Sequence, residues 1–166
     1  MVTFRRRTIR EKVLQVLYAH DISKEPITFV IDTILVDLHD HKADFDFAKQ
    51  LIYKVIQHQE ELDSVIKSKV ANWEFNRIAV IDKFLLRMGI CELMYLHEIP
   101  PKVTINEAIE IAKNYSTEKS SKFINGVLDS VYEQLKMDNK LAKSGRGLIS
   151  TSTLPSAKLS KPAKKE

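Results

Sequence analysis

The 166-residue chain has one cysteine, Cys91, so no disulfide can close within it and no thiolate cluster can hold a metal. A reducing compartment suits such a composition, and the cytoplasm is the expected location. Glycine is nearly as scarce: of four, Gly145 and Gly147 fall beyond the last amphipathic segment, which leaves no glycine-rich loop to cradle a phosphate or a nucleotide cofactor. No run of eighteen apolar residues occurs, and the basic first dozen residues lead into an amphipathic pattern, not an apolar stretch with a cleavage site. Neither membrane spanning nor secretion is expected. Strand-like alternation is also missing over any useful length.

What remains is a chain whose 44% apolar content can fill one core. Its net charge of +4 is unevenly spread. Residues 1–12 carry five basic groups against Glu11, and residues 138–166 carry seven against two, so the body between them is acidic. Separation of sign gives one surface for a polyanion and another for a different partner.

Helical periodicity accounts for nearly the whole body, which makes the expected class all-α. Thr8 to Glu11 has the spacing of a capping box opening a first helix with Ile9, Val13, Val16 and Leu17 on its apolar face. Phe29 to Leu38 predicts a second, well-buried helix, and Asp44 is placed to cap a third segment reaching Val70, which we read as two helices rather than one. Phe75 to Leu96 is the most apolar stretch and predicts a central helix ended by Pro100 and Pro101. A second capping box, Thr104 to Glu107, opens the next helix, and the last carries Phe123, Ile124, Val127, Leu128, Val131 and Leu135. Gly126 inside that helix suggests a close approach of a neighbouring helix. Residues 1–137 form the expected helical domain, and 138–166, rich in Lys, Ser, Gly, Pro and Ala, the expected flexible tail.

Candidate chemistry is thin. His39, Asp40 and His41 offer ligand types for a metal, but the spacing suits a solvated turn better and supplies no third cluster. Cys91 lies in the densest apolar segment, where a thiol behaves as a small hydrophobe. No catalytic residue, metal or cofactor is assigned. The strongest feature is Phe4-Arg5-Arg6-Arg7-Thr8-Ile9-Arg10, since guanidinium groups match phosphate oxygens and stack on bases. Charge alone is equally compatible with a basic terminus that aids solubility. Tyr18, on the same helix, is open to a core or a contact role.

Three stretches carry a family resemblance. Arg5 to Tyr18, the segment Ile81-Asp82-Lys83 through Glu92-Leu93, and above all Pro101-Lys102-Val103-Thr104-Ile105-Asn106-Glu107-Ala108 with Lys122-Phe123-Ile124-Asn125-Gly126 resemble the NusB family of bacterial transcription antitermination factors, in order and spacing. The resemblance implies two packed three-helix bundles of about seven helices. It also implies binding of boxA-type RNA as a heterodimer with the ribosomal small-subunit protein NusE, within an RNA polymerase antitermination complex that holds other Nus factors and supports ribosomal RNA synthesis. Carried over by position, the RNA side comprises Arg5, Arg6, Arg7, Arg10, Lys119, Lys122 and Phe123, and the NusE side Tyr18 and Asp82. Lys119 stands where well-known members have an acidic residue. The competing readings are a self-associating homodimer and an RNA methyltransferase domain, although the chain lacks the length and the glycine-rich loop for the latter.

Overall fold

The computed structural model describes residues 5–149. Within them the order is α1 (Arg6–Ser23), α2 (Ile27–Ile34), a 3-10 turn (Val36–Leu38), α3 (Lys42–Gln57), α4 (Gln59–Lys67), α5 (Asn72–Phe75), α6 (Val80–Tyr95), α7 (Pro101–Tyr115), α8 (Glu118–Met137) and a second 3-10 turn (Gly145–Leu148). No strand occurs among the described residues. Helices α1 to α3 form one bundle and α6 to α8 another. The two join where α6 packs on α1 and α3, while α4 leans on α6.

The core follows the apolar periodicity. Ile9, Val13 and Leu17 of α1, Leu51 and Val55 of α3, Leu85, Leu86 and Leu93 of α6, Ile111 of α7 and Leu128 of α8 are all buried. Helix α6 is buried over most of its length, as its composition predicts. Where α6 crosses α8, Gly89 provides the clearance: a Cβ there would stand 2.9 Å from Leu128 Cδ1.

Several boundaries differ from the sequence reading. Thr8 caps nothing, because α1 begins a turn earlier and Arg5, in extended conformation, is its N-cap. Asp44 lies within the first turn of α3, which is capped by His41. Pro100 and Pro101 start α7 and do not end α6. Pro101 takes the first helical position, where a missing N–H costs nothing, and α6 has already stopped at Tyr95. Thr104 is therefore inside α7, its hydroxyl turned to Glu92 and not to a cap. The long apolar stretch from Phe75 is also interrupted, since α5 ends there and α6 begins at Val80.

The α3–α4 segment does form two helices. His58 divides them, its ring stacked on Tyr95 with centroids 4.1 Å apart. Arg87 of α6 then ties α4 down through Asp63, with Nε donating at 2.7 Å and an outer nitrogen at 2.9 Å. Helix α2 is less buried than its apolar sequence suggests: Val30 and Ile31 face inward, but Phe29 is 58% exposed. Gly126 is also a surprise, for an added Cβ would meet nothing within 4 Å. No helix of the described chain presses on it.

The expected tail divides. Residues 150–166 lie outside the described residues, but the segment before them is bound to the body. Leu141 packs against the core, Ser144 N–H donates to His97 O at 3.0 Å, and Gly147 lies so close that a Cβ would stand 1.9 Å from the same oxygen. Lys143 Nζ donates to Glu92 O and Leu96 O, both at 2.9 Å. These carbonyls end α6, where a cation is favoured. Composition marked this strap as free; the carbonyls at the end of α6 hold it through Lys143.

Candidate nucleic-acid interface

Helices α1 and α7 run in the same direction side by side. Two contacts establish this: Arg7 with Glu107, and Gln15 with Tyr115, whose hydroxyl accepts from Gln15 Nε2 at 3.0 Å. Eight residues separate the contacts on each helix, so they stand about 12 Å apart along the pair. The sequence-derived residues sort themselves along this track.

At the α1 start, Arg5 and Arg6 are exposed and Arg7 is half-exposed, beside a cleft of about 450 Å³ that Val103 and Glu107 close from α7. The Arg6 guanidinium lies 4.1 Å from the centroid of the Phe47 ring, a cation–π contact that holds the side chain at the cleft edge. Arg7 grips Glu107 with both ends of its fork, at 2.8 and 3.0 Å, and this hydrogen-bonded pairing raises its already high pKa. Glu107 thereby fixes Arg7 while neutralising part of the patch. Sequence assigned Glu107 to capping, since nothing along the chain reveals which helix it faces.

Arg10 does not belong to this surface. It is 4% exposed, and its guanidinium closes on Glu92, itself 2% exposed, through bonds of 2.6, 3.0 and 3.1 Å. Burial alone would lower the Arg10 pKa, but the carboxylate more than offsets it and the net direction is upward. Glu92 Oε1 also accepts from Thr104 at 3.2 Å. The result is a buried knot joining α1, α6 and α7. Arg10 falls on the inward face because it follows Ile9 and precedes Val13 and Leu14, which are fully in the core.

At the far end of the track, Lys119 and Lys122 are exposed on the first turns of α8, with Phe123 half-buried against the core. Helix α8 starts just after the end of α7, so these lysines lie away from the arginines at the α1 start and form no single cluster with them. Tyr18 is 39% exposed, one turn before the exposed Ile22, which resolves its open assignment toward the surface.

Asp82, expected on an exposed surface, is 5% exposed. Its Oδ2 accepts from the Ser120 hydroxyl at 2.6 Å, and Oδ1 is buried with no partner among the described residues. The carboxylate sits in the first turn of α6, where the helix dipole favours negative charge. It fixes the entry of α8, because Ser120 N–H also donates to the capping Thr117 hydroxyl at 3.0 Å. Any effect of Asp82 on a partner therefore runs through the placement of α8.

The remaining chemical candidates have structural surroundings. His39 meets Phe45 edge-on at 5.0 Å and reaches Asp32 at 4.0 Å. Among the described residues, no three His, Cys, Asp or Glu side chains are grouped to hold a metal ion. Cys91 is fully buried, and burial pushes its thiol up to about 12. No helix of the described chain is long and apolar enough to cross a membrane.

The sequence model of the NusB family matches residues 7–133, which takes in every helix from α1 through most of α8. The chain belongs to the NusB family. It is 48% identical over 163 residues to the transcription antitermination protein NusB of Chloroherpeton thalassium, covering 97% of this chain and 72% of that protein. Among solved structures it is similar to T. maritima NusB, with a TM-score of 0.74 and 34% identity over 80% of this chain and 94% of the other. It also resembles a crystal structure of the antitermination factors NusB and NusE in complex with double-stranded RNA, with a TM-score of 0.67 and 27% identity over 78% and 96% of the two chains. The two-bundle arrangement is thus the NusB fold.

Proposed function

We propose that this NusB-family chain is a non-enzymatic antitermination factor that binds boxA-type RNA along the α1–α7 face, as a heterodimer with NusE. The observation that carries the reading is two basic sites, exposed Arg5 and Arg6 with half-exposed Arg7 at the α1 start, and exposed Lys119 and Lys122 at the α8 start with the half-buried Phe123 ring next to them. Among the described residues Arg5, Lys119 and Lys122 make no ion pair, and an extended polyanion can reach both sites. Arg10 is left out because Glu92 consumes its donors. The exposed Tyr18 and Ile22, on one face of α1, provide an apolar contact for the protein partner. The reading places the chain in the cytoplasm, in a polymerase-bound assembly with further Nus factors.

A salt titration with and without NusE tests this. Affinity for single-stranded boxA-type RNA should fall with salt, with a log–log slope of roughly −0.7 for each phosphate contacted, and should rise when NusE is present. Salt-independent binding that ignores NusE would refute it.

A further inference from the structure

The arginine cleft does not end at Glu107. Val103 and Glu107 also wall a second groove of about 410 Å³, between α7 and α8, whose rim carries Lys102, Asn106, Asn125 and Asp129. Lys102 and Asp129 pair at 3.7 Å and close its outer end. The Asn106 and Asn125 side-chain amides make no hydrogen bond among the described residues. Two amides on facing helices above an apolar floor, where Ile105 and Ile109 lie, present donors and acceptors to anything that enters.

Resting on the RNA reading above, we infer that the α7–α8 groove receives an unstacked nucleobase of the strand whose phosphates lie on the arginine cleft. Asn106 and Asn125 read its edge. Single-stranded RNA is recognised in this manner, with bases turned out onto protein surfaces and their edges hydrogen-bonded.

The test is an anisotropy titration of the full chain with a boxA-type RNA and with a uridine homopolymer of equal length. Three variants are compared: Asn125→Ala, Asn106→Ala and Arg6→Ala. The expected results are that Asn125→Ala weakens boxA binding about tenfold, the size of one lost bidentate base contact, with homopolymer binding and salt slope unchanged. Asn106→Ala should do the same, and neither asparagine change should lower the melting temperature. Arg6→Ala should weaken both and flatten the slope by about 0.7. Full affinity in both groove variants, with a loss in Arg6→Ala, would overturn the groove and leave the RNA reading standing. Full affinity in all three would overturn both. Groove variants that lose NusE and keep RNA would make the groove a protein surface and overturn the inference.

Discussion

Arg10 is one of four arginines within six residues, yet it should answer mutation unlike the other three. Removing it leaves Glu92, 2% exposed, with only the Thr104 hydroxyl as a side-chain donor. Breaking a buried ion pair from one side costs about 3–5 kcal/mol, because the remaining charge stays desolvated. For a chain of this size that lowers the melting temperature by roughly 6–20 °C. The double variant Arg10→Met with Glu92→Met removes both charges and restores apolar volume, so its stability should return to within about 1 kcal/mol of the parent or exceed it. Thr104 then has its own helix's carbonyl at Pro100 to bond, within reach of a hydroxyl one turn on. Urea unfolding followed by circular dichroism measures all three proteins. The same proteins, assayed cold and folded, should bind RNA as the parent does. An Arg10→Ala variant of parental stability that no longer binds RNA would refute the assignment of Arg10 to the core.

The strap and the thiol give further tests. Gly147→Val places carbon against His97 O and cannot be accommodated by backbone on both sides, so trypsin should cut at Lys143 much faster in this variant than in the parent; equal rates would mean that the strap is not docked. Burial lowers the Lys143 pKa to about 8, against the upward pull of Glu92. The unfolded chain keeps that proton up to its ordinary value near 10.5, so it binds more protons than the folded chain between these limits and stability rises with pH there. Parental stability measured against a Lys143→Met variant should therefore increase from pH 8 to pH 10, and a decrease would show the sign to be wrong. Cys91, with its thiol pushed up to about 12 by burial, should react with maleimide in the native protein only at the rate of unfolding; prompt native labelling would place it at the surface.

The sequence by itself determined the helical class, the position of the core and the presence of an arginine-rich start, because apolar spacing and charge are local properties of the chain. It also favoured two helices over one in the α3–α4 segment, but the place of the break, at His58 stacked on Tyr95, depends on a residue far along the chain. Capping was misread at Thr104 because a hydroxyl suited to capping is also suited to a buried hydrogen bond, here to Glu92 from a neighbouring helix, and at Thr8 and Asp44 because α1 and α3 begin before them. The same limit explains Arg10 and Asp82, whose partners Glu92 and Ser120 lie 82 and 38 residues away. Tertiary structure alone decided which charges face solvent. It did so because a charged group enters the core when a matched partner arrives from another helix, and that meeting is set by packing, not by the order of residues.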